Sequence, residues 1–116
     1  MSKDKLNDLI KLYPDYSQVF RAVLNWFLTH PQQRSVTMDF FYSNKFAFSK
    51  EQINIAFFIM KETEVVKPIY RILDDKGHKI GRDYDNVEEI PKYVDTMWGD
   101  KKDIDEVYIV PYYELI

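Results

Sequence analysis

Phe48-Ser49-Lys50-Glu51-Gln52-Ile53 carries the chemistry of a helix start: the Ser49 hydroxyl and the Gln52 side chain can each satisfy an orphan backbone amide of the first turn. From there Ile53, Ala56, Phe57 and Met60 recur at spacings of three and four, which predicts an amphipathic helix to about Glu62. Thr63, Val65 and Val66 are β-branched and shift the preference towards strand. With the apolar row buried, an advance of 100° per residue puts Glu51, Ile55, Phe58 and Glu62 on the opposite face. That face combines two acids with two large apolar groups and has no cation; Ile55, Phe58 and Ile59 are either enclosed, between the hairpin and the N-terminal arm or the acidic stretch, or form an exposed patch that docks on a partner.

Upstream, two further helices are expected. Ser2 can cap the first, in which Leu6, Leu9, Ile10 and Tyr13 form a stripe that Pro14 ends. Ser17 can cap the second, with Phe20, Val23, Leu24 and Phe27 on one face, Trp26 beside it, and His30-Pro31 at its close. Val36 suits a one- or two-residue β contact. Thr37 can cap a short helical piece through Phe40 and Phe41 to Ser43, with Asn44 at its left-handed end. Downstream, Ile69 to Leu73 and His78 to Tyr84 flank Asp74-Asp75-Lys76-Gly77 and read as a hairpin. Ile90-Pro91-Lys92-Tyr93-Val94 reads as a short helix with Pro91 in its first turn and Gly99 past its end. Val107 to Tyr113 reads as a last strand, at an edge or bulged because Pro111 cannot donate to a ladder.

The 116 residues suffice for one domain, and 46% apolar content supplies a core. The absence of cysteine excludes thiol catalysis, thiolate metal sites and disulfides. No apolar run approaches the roughly 20 residues of a membrane span, and the opening stretch lacks an export signal, so a cytoplasmic setting without membrane association is expected. Charge is uneven: residues 1–60 sum to +2 and 61–116 to −5, and within 83–106 nine acids face only Lys92, Lys101 and Lys102.

The order of helix, short β contact, short helix, capped helix and hairpin resembles the winged helix-turn-helix superfamily over about residues 17–84. Ser35-Val36-Thr37-Met38-Asp39-Phe40-Phe41 is similar to the entry to its second helix, Phe48 to Ile53 to the entry to its third, and Val65 to Leu73 to the strand that opens the wing. The resemblance implies a single α+β domain: an N-terminal helical arm (1–14), a three-helix core with a β-hairpin wing (17–84), and an acidic insertion with a final strand (85–116). The chain departs from the pattern in that insertion and in the apolar character of its third helix.

Winged helices that bind DNA lay the third helix in the major groove, where cations neutralise phosphates. The outward face here opposes that use. The expectation is therefore a non-catalytic protein-interaction module, a homodimer or an accessory subunit of a bacterial or phage complex. Its contact residues would be Ile55, Phe58, Ile59, Leu6, Ile10, Tyr112 and Tyr113, although the arm with Leu6 and Ile10 can equally fold back on its own domain and the tyrosines can equally pack within the sheet. The acidic insertion would steer a basic partner. The alternative is a dimeric DNA-binding regulator using Lys45, Lys50, Asn54, Lys61, Lys76, Lys79 and Arg82.

No catalytic set is legible. His30 and His78 lack a Ser with a supporting acid. Asp74, Asp75, His78, Asp83 and Asp85 lack calcium-loop spacing, and Gly77, Gly81 and Gly99 make no phosphate loop. No metal, cofactor or small-molecule substrate is expected.

Overall fold

The computed structural model describes residues 2–42, 46–96 and 98–116. The fold is α+β, and the chain gathers into two compact units, Met1–Lys67 with Tyr113–Ile116, and Pro68–Tyr112. This division differs from the segmentation at residues 14, 17 and 84. The hairpin and the acidic stretch share one unit, while the N-terminal arm and the last residues belong to the other.

In the first unit, α1 (Ser2–Leu12) and α2 (Ser17–Thr29) are separated by a 3₁₀ turn at Pro14–Tyr16. The Ser2 side chain lies outside the described residues. Ser17 does not cap α2 as expected: its hydroxyl donates to the Pro14 carbonyl at 2.9 Å and closes the turn, and Tyr16 precedes the helix without a side-chain cap. α2 buries Val19, Phe20, Val23, Trp26 and Phe27. The expected β contact is β1 (Ser35–Val36), followed by a 3₁₀ segment at Met38–Tyr42. The expected helix end at Ser43 and Asn44 lies outside the described residues.

α3 (Lys50–Glu62) starts with both halves of the capping box formed, Gln52 N–H to Ser49 Oγ at 3.1 Å and Ser49 N–H to Gln52 Oε1 at 3.0 Å. Its buried row is Ile53, Ala56, Phe57 and Met60. The helix ends on Glu64 in the left-handed region (φ +60°), and the Val65 amide returns to the Met60 carbonyl at 2.9 Å. Leu6, Leu9, Val36, Phe41, Val65 and Val66 complete this unit's core.

β2 (Val66–Leu73) pairs antiparallel with β3 (Lys79–Tyr84), and β1 pairs antiparallel with β6 (Tyr108–Leu115). The hydrogen-bonded order is β1-β6-β2-β3. By that order β6 is not an edge strand. On the β1 side Pro111 lies beyond the pairing, which reaches only Tyr113 and Glu114. Between the pairs Tyr70↔Tyr84 and Ile72↔Ile80 the register slips on the β3 side, where Gly81 sits at φ +66°.

The second unit's core is Ile72, Ile80, Tyr84 and Val94. Here the expected helix at Ile90 to Val94 is replaced by a second hairpin, β4 (Tyr93–Asp95) with β5 (Lys101–Asp103). The aromatic and β-branched residues Tyr93, Val94 and Thr96 suit a strand, and Gly99 at φ +85° makes the turn. Short 3₁₀ turns flank it, at Val87–Glu89 before β4 and at Ile104–Glu106 directly after β5.

Candidate interaction surface

Of the two readings left open for the face of α3 opposite its buried row, the structure has it exposed at its centre. Phe58 is 61% exposed, Ile55 is half-buried, and Glu51 and Glu62 are exposed at either end. Ile59 is half-buried against the core, so it borders this patch rather than forming its centre. A large ring left in water beside two carboxylates suits a protein partner and repels phosphate. On the flank, Lys50, Asn54 and Lys61 are exposed. The Lys50 ammonium stands 5.8 Å from the Tyr42 ring centre, and the Tyr42 hydroxyl donates to Asn54 Oδ1 at 2.9 Å. Burial, with a smaller effect of Asp39, raises the Tyr42 pKa, which favours that protonated, donating form.

The N-terminal arm folds back on its own unit. Leu6 is fully buried and Ile10 half-buried against the same core, so Leu6 offers no surface to a partner, contrary to its inclusion among the contact residues. The apolar side chains exposed on this pair of helices are instead Leu12 and Leu28, with Tyr13 less so. At the C-terminal end Tyr113 is half-buried with its ring 4.8 Å from that of Phe57. Tyr112 carries the Arg71 guanidinium 4.3 Å from its ring centre. Tyr108 is the exposed tyrosine of that strand.

The cations of the alternative DNA set in the second unit are engaged locally. Lys79 lies 3.5 Å from Asp83, Arg82 lies 3.9 Å from Glu89 and over the Tyr84 ring, and Lys76 stands over the Trp98 ring. Lys45 lies outside the described residues. Arg71 holds Asp83 through two hydrogen bonds of 3.0 and 3.1 Å; these bonds first, then the charges of Arg71 and Lys79, keep the Asp83 carboxyl below its ordinary pKa.

Asp74 is the keystone of the first hairpin turn. Its carboxylate is 7% exposed and accepts the amides of Lys76 (2.9 Å) and His78 (2.8 Å), with His78 Nδ1 at 3.3 Å. The backbone bond from His78 leads the lowering of its pKa. A carboxylate so occupied serves the turn. Among the described residues no three His, Asp or Glu side chains converge at metal-binding range.

Sequence reasoning missed Trp98, 64% exposed beside Gly99. The turn-forming Gly99-Asp100 next to it was the available signal. Among the described residues no helix is long and apolar enough to cross a membrane. Compared with models of known families, with curated proteins and with solved structures, the chain matches none.

Proposed function

We propose that this chain is a non-catalytic protein-interaction module of winged-helix type that docks through the outward face of α3, with a second copy as its first partner. The observation that carries the reading is Phe58, 61% exposed between Glu51 and Glu62 on a face without a cation. Ile55, half-buried and one turn away, extends the apolar area around it. The element order α2, β1, 3₁₀ segment, α3 and β2-β3 hairpin supports the winged-helix assignment.

Placing a carboxylate at the centre of the patch separates docking from folding. Phe58→Asp is expected to convert a dimer, read by light scattering on a size-exclusion column, to the 14.0 kDa monomer while far-ultraviolet circular dichroism stays unchanged. Unchanged mass in the folded variant would refute docking through this face.

A second reading, a dimeric DNA-binding regulator, draws support from the exposed Lys50, Asn54 and Lys61 strip on the flank of α3. It is disfavoured because the face they border ends in Glu51 and Glu62, and because Lys79 and Arg82 are already paired with carboxylates.

A further inference from the structure

In the second unit a cavity of about 260 Å³ opens between the two hairpin turns, lined by Asp75, Lys76, Trp98, Asp100, Lys102 and Glu106 among others. Its volume is under the roughly 300–1,000 Å³ usual for small-molecule clefts, which points to a single side chain as guest. Three observations define the chemistry of that guest.

The first is aromatic. Trp98 stands 64% exposed, and the Lys76 ammonium lies 5.8 Å from its ring centre, so a cation of the chain itself already uses this indole face. The second is charge. Asp74, Asp75, Asp100 and Glu106 line the cavity against two lysines, and Lys102 is taken up by Glu106 at 3.8 Å. Asp75 and Asp100 have no ion pair among the described residues. The unit around the cavity, residues 68–112, holds eleven acidic and seven basic side chains, a field that draws in cations. The third is preorganisation. The Trp98 amide donates to Thr96 Oγ1 at 3.3 Å, the Gly99 amide donates to the Thr96 carbonyl at 3.0 Å, and Asp74 ties the opposite turn. A guest therefore meets a shape held by hydrogen bonds from the turn amides and need not order the loops itself.

We propose that this cavity takes an arginine side chain from a basic segment of a partner protein, stacked on Trp98 and paired with Asp75 and Asp100. A planar guanidinium covers an indole face and meets a carboxylate with two parallel N–H donors, a geometry that a tetrahedral ammonium lacks, so it displaces the exposed Lys76 from the ring. The inference rests on the reading of the chain as an interaction module and names the chemistry of a partner.

The test is the fluorescence anisotropy of a labelled hexa-arginine peptide titrated with the full chain, with hexalysine and hexaglutamate for comparison. Saturable hexa-arginine binding is expected in about 0.15 M salt, where diffuse attraction is screened within about 8 Å. It should be about tenfold weaker in Trp98→Ala, and hexalysine should bind more weakly than hexa-arginine. Asp100→Asn, which leaves the ring in place, should also weaken it, and circular dichroism checks each variant's fold. Phe58→Asp should leave the peptide affinity unchanged.

The proposal is overturned if hexa-arginine shows no saturable binding, or if Trp98→Ala and Asp100→Asn, both folded, bind it as the parent chain does. It is also overturned if the two cationic peptides bind equally. Failure of the α3 reading looks different: Phe58→Asp would leave the association state unchanged while the Trp98 variant still lost the peptide.

Discussion

Truncation of Phe57 to Ala removes a ring 2% exposed and is expected to cost about 3–5 kcal/mol. The same change at its neighbour Phe58 should stay within about 0.5 kcal/mol. Urea unfolding of the two variants compares them directly, and a large loss at Phe58 would mean that its ring is enclosed. Asp83 offers a pH test. Its folded pKa is depressed by Arg71, so the stability it contributes is complete above the unfolded value of 3.8 and is lost as pH falls through the lower folded value. Asp83→Asn should therefore cost up to about 1 kcal/mol at neutral pH. The gap between parent and variant should narrow as pH falls below 3.8 and through the lower folded value. A gap that widened in acid would contradict the assignment. These residue roles were unevenly legible. The sides of α3 follow from a 3.6-residue period, and Ile53 to Met60 obey it, whereas the Arg71–Asp83 pair depends on a register slip in β3 that no local pattern announces.

At the scale of elements, α3 was the most readable because both of its ends use short-range chemistry. Ser49→Ala removes one half of the capping box and should cost about 1 kcal/mol in a thermal or urea melt. Glu64 is the opposite case, a side chain held at φ +60° where glycine is at ease. Glu64→Gly is expected to raise stability by about 0.5–1 kcal/mol, since relief of a roughly 1–2 kcal/mol strain exceeds glycine's entropy cost of roughly 0.5–1 kcal/mol. A lower melting temperature in that variant would contradict the conformation. The β4-β5 hairpin shows where local reading fails. Pro91 suits a first helical turn, but the pairing of Tyr93 with Asp103 and of Val94 with Lys102 settles the segment as strand, and those partners lie eight to ten residues away.

For the whole molecule, the sequence's uneven charge maps onto the two units: residues 68–112 carry the acidic excess, and the outward side of α3 lies in the other unit with acids of its own. The α+β class and the element order were legible from capping, periodicity and turn residues. The division into two units was not, because Tyr113 and Leu115 pack with the core of the first unit only through long-range contacts. Outward, α3 presents Phe58 with Glu51 and Glu62, apolar and acidic chemistry that is hostile to polyphosphate. Titration onto random-sequence duplex DNA at about 50 and about 200 mM salt tests this most directly, since a protein neutralising six to ten phosphates loses roughly 10³–10⁵ in affinity across that range. Weak binding with little dependence on salt is expected. Tight binding that collapses across the same interval, and that Lys50→Ala with Lys61→Ala removes, would contradict it.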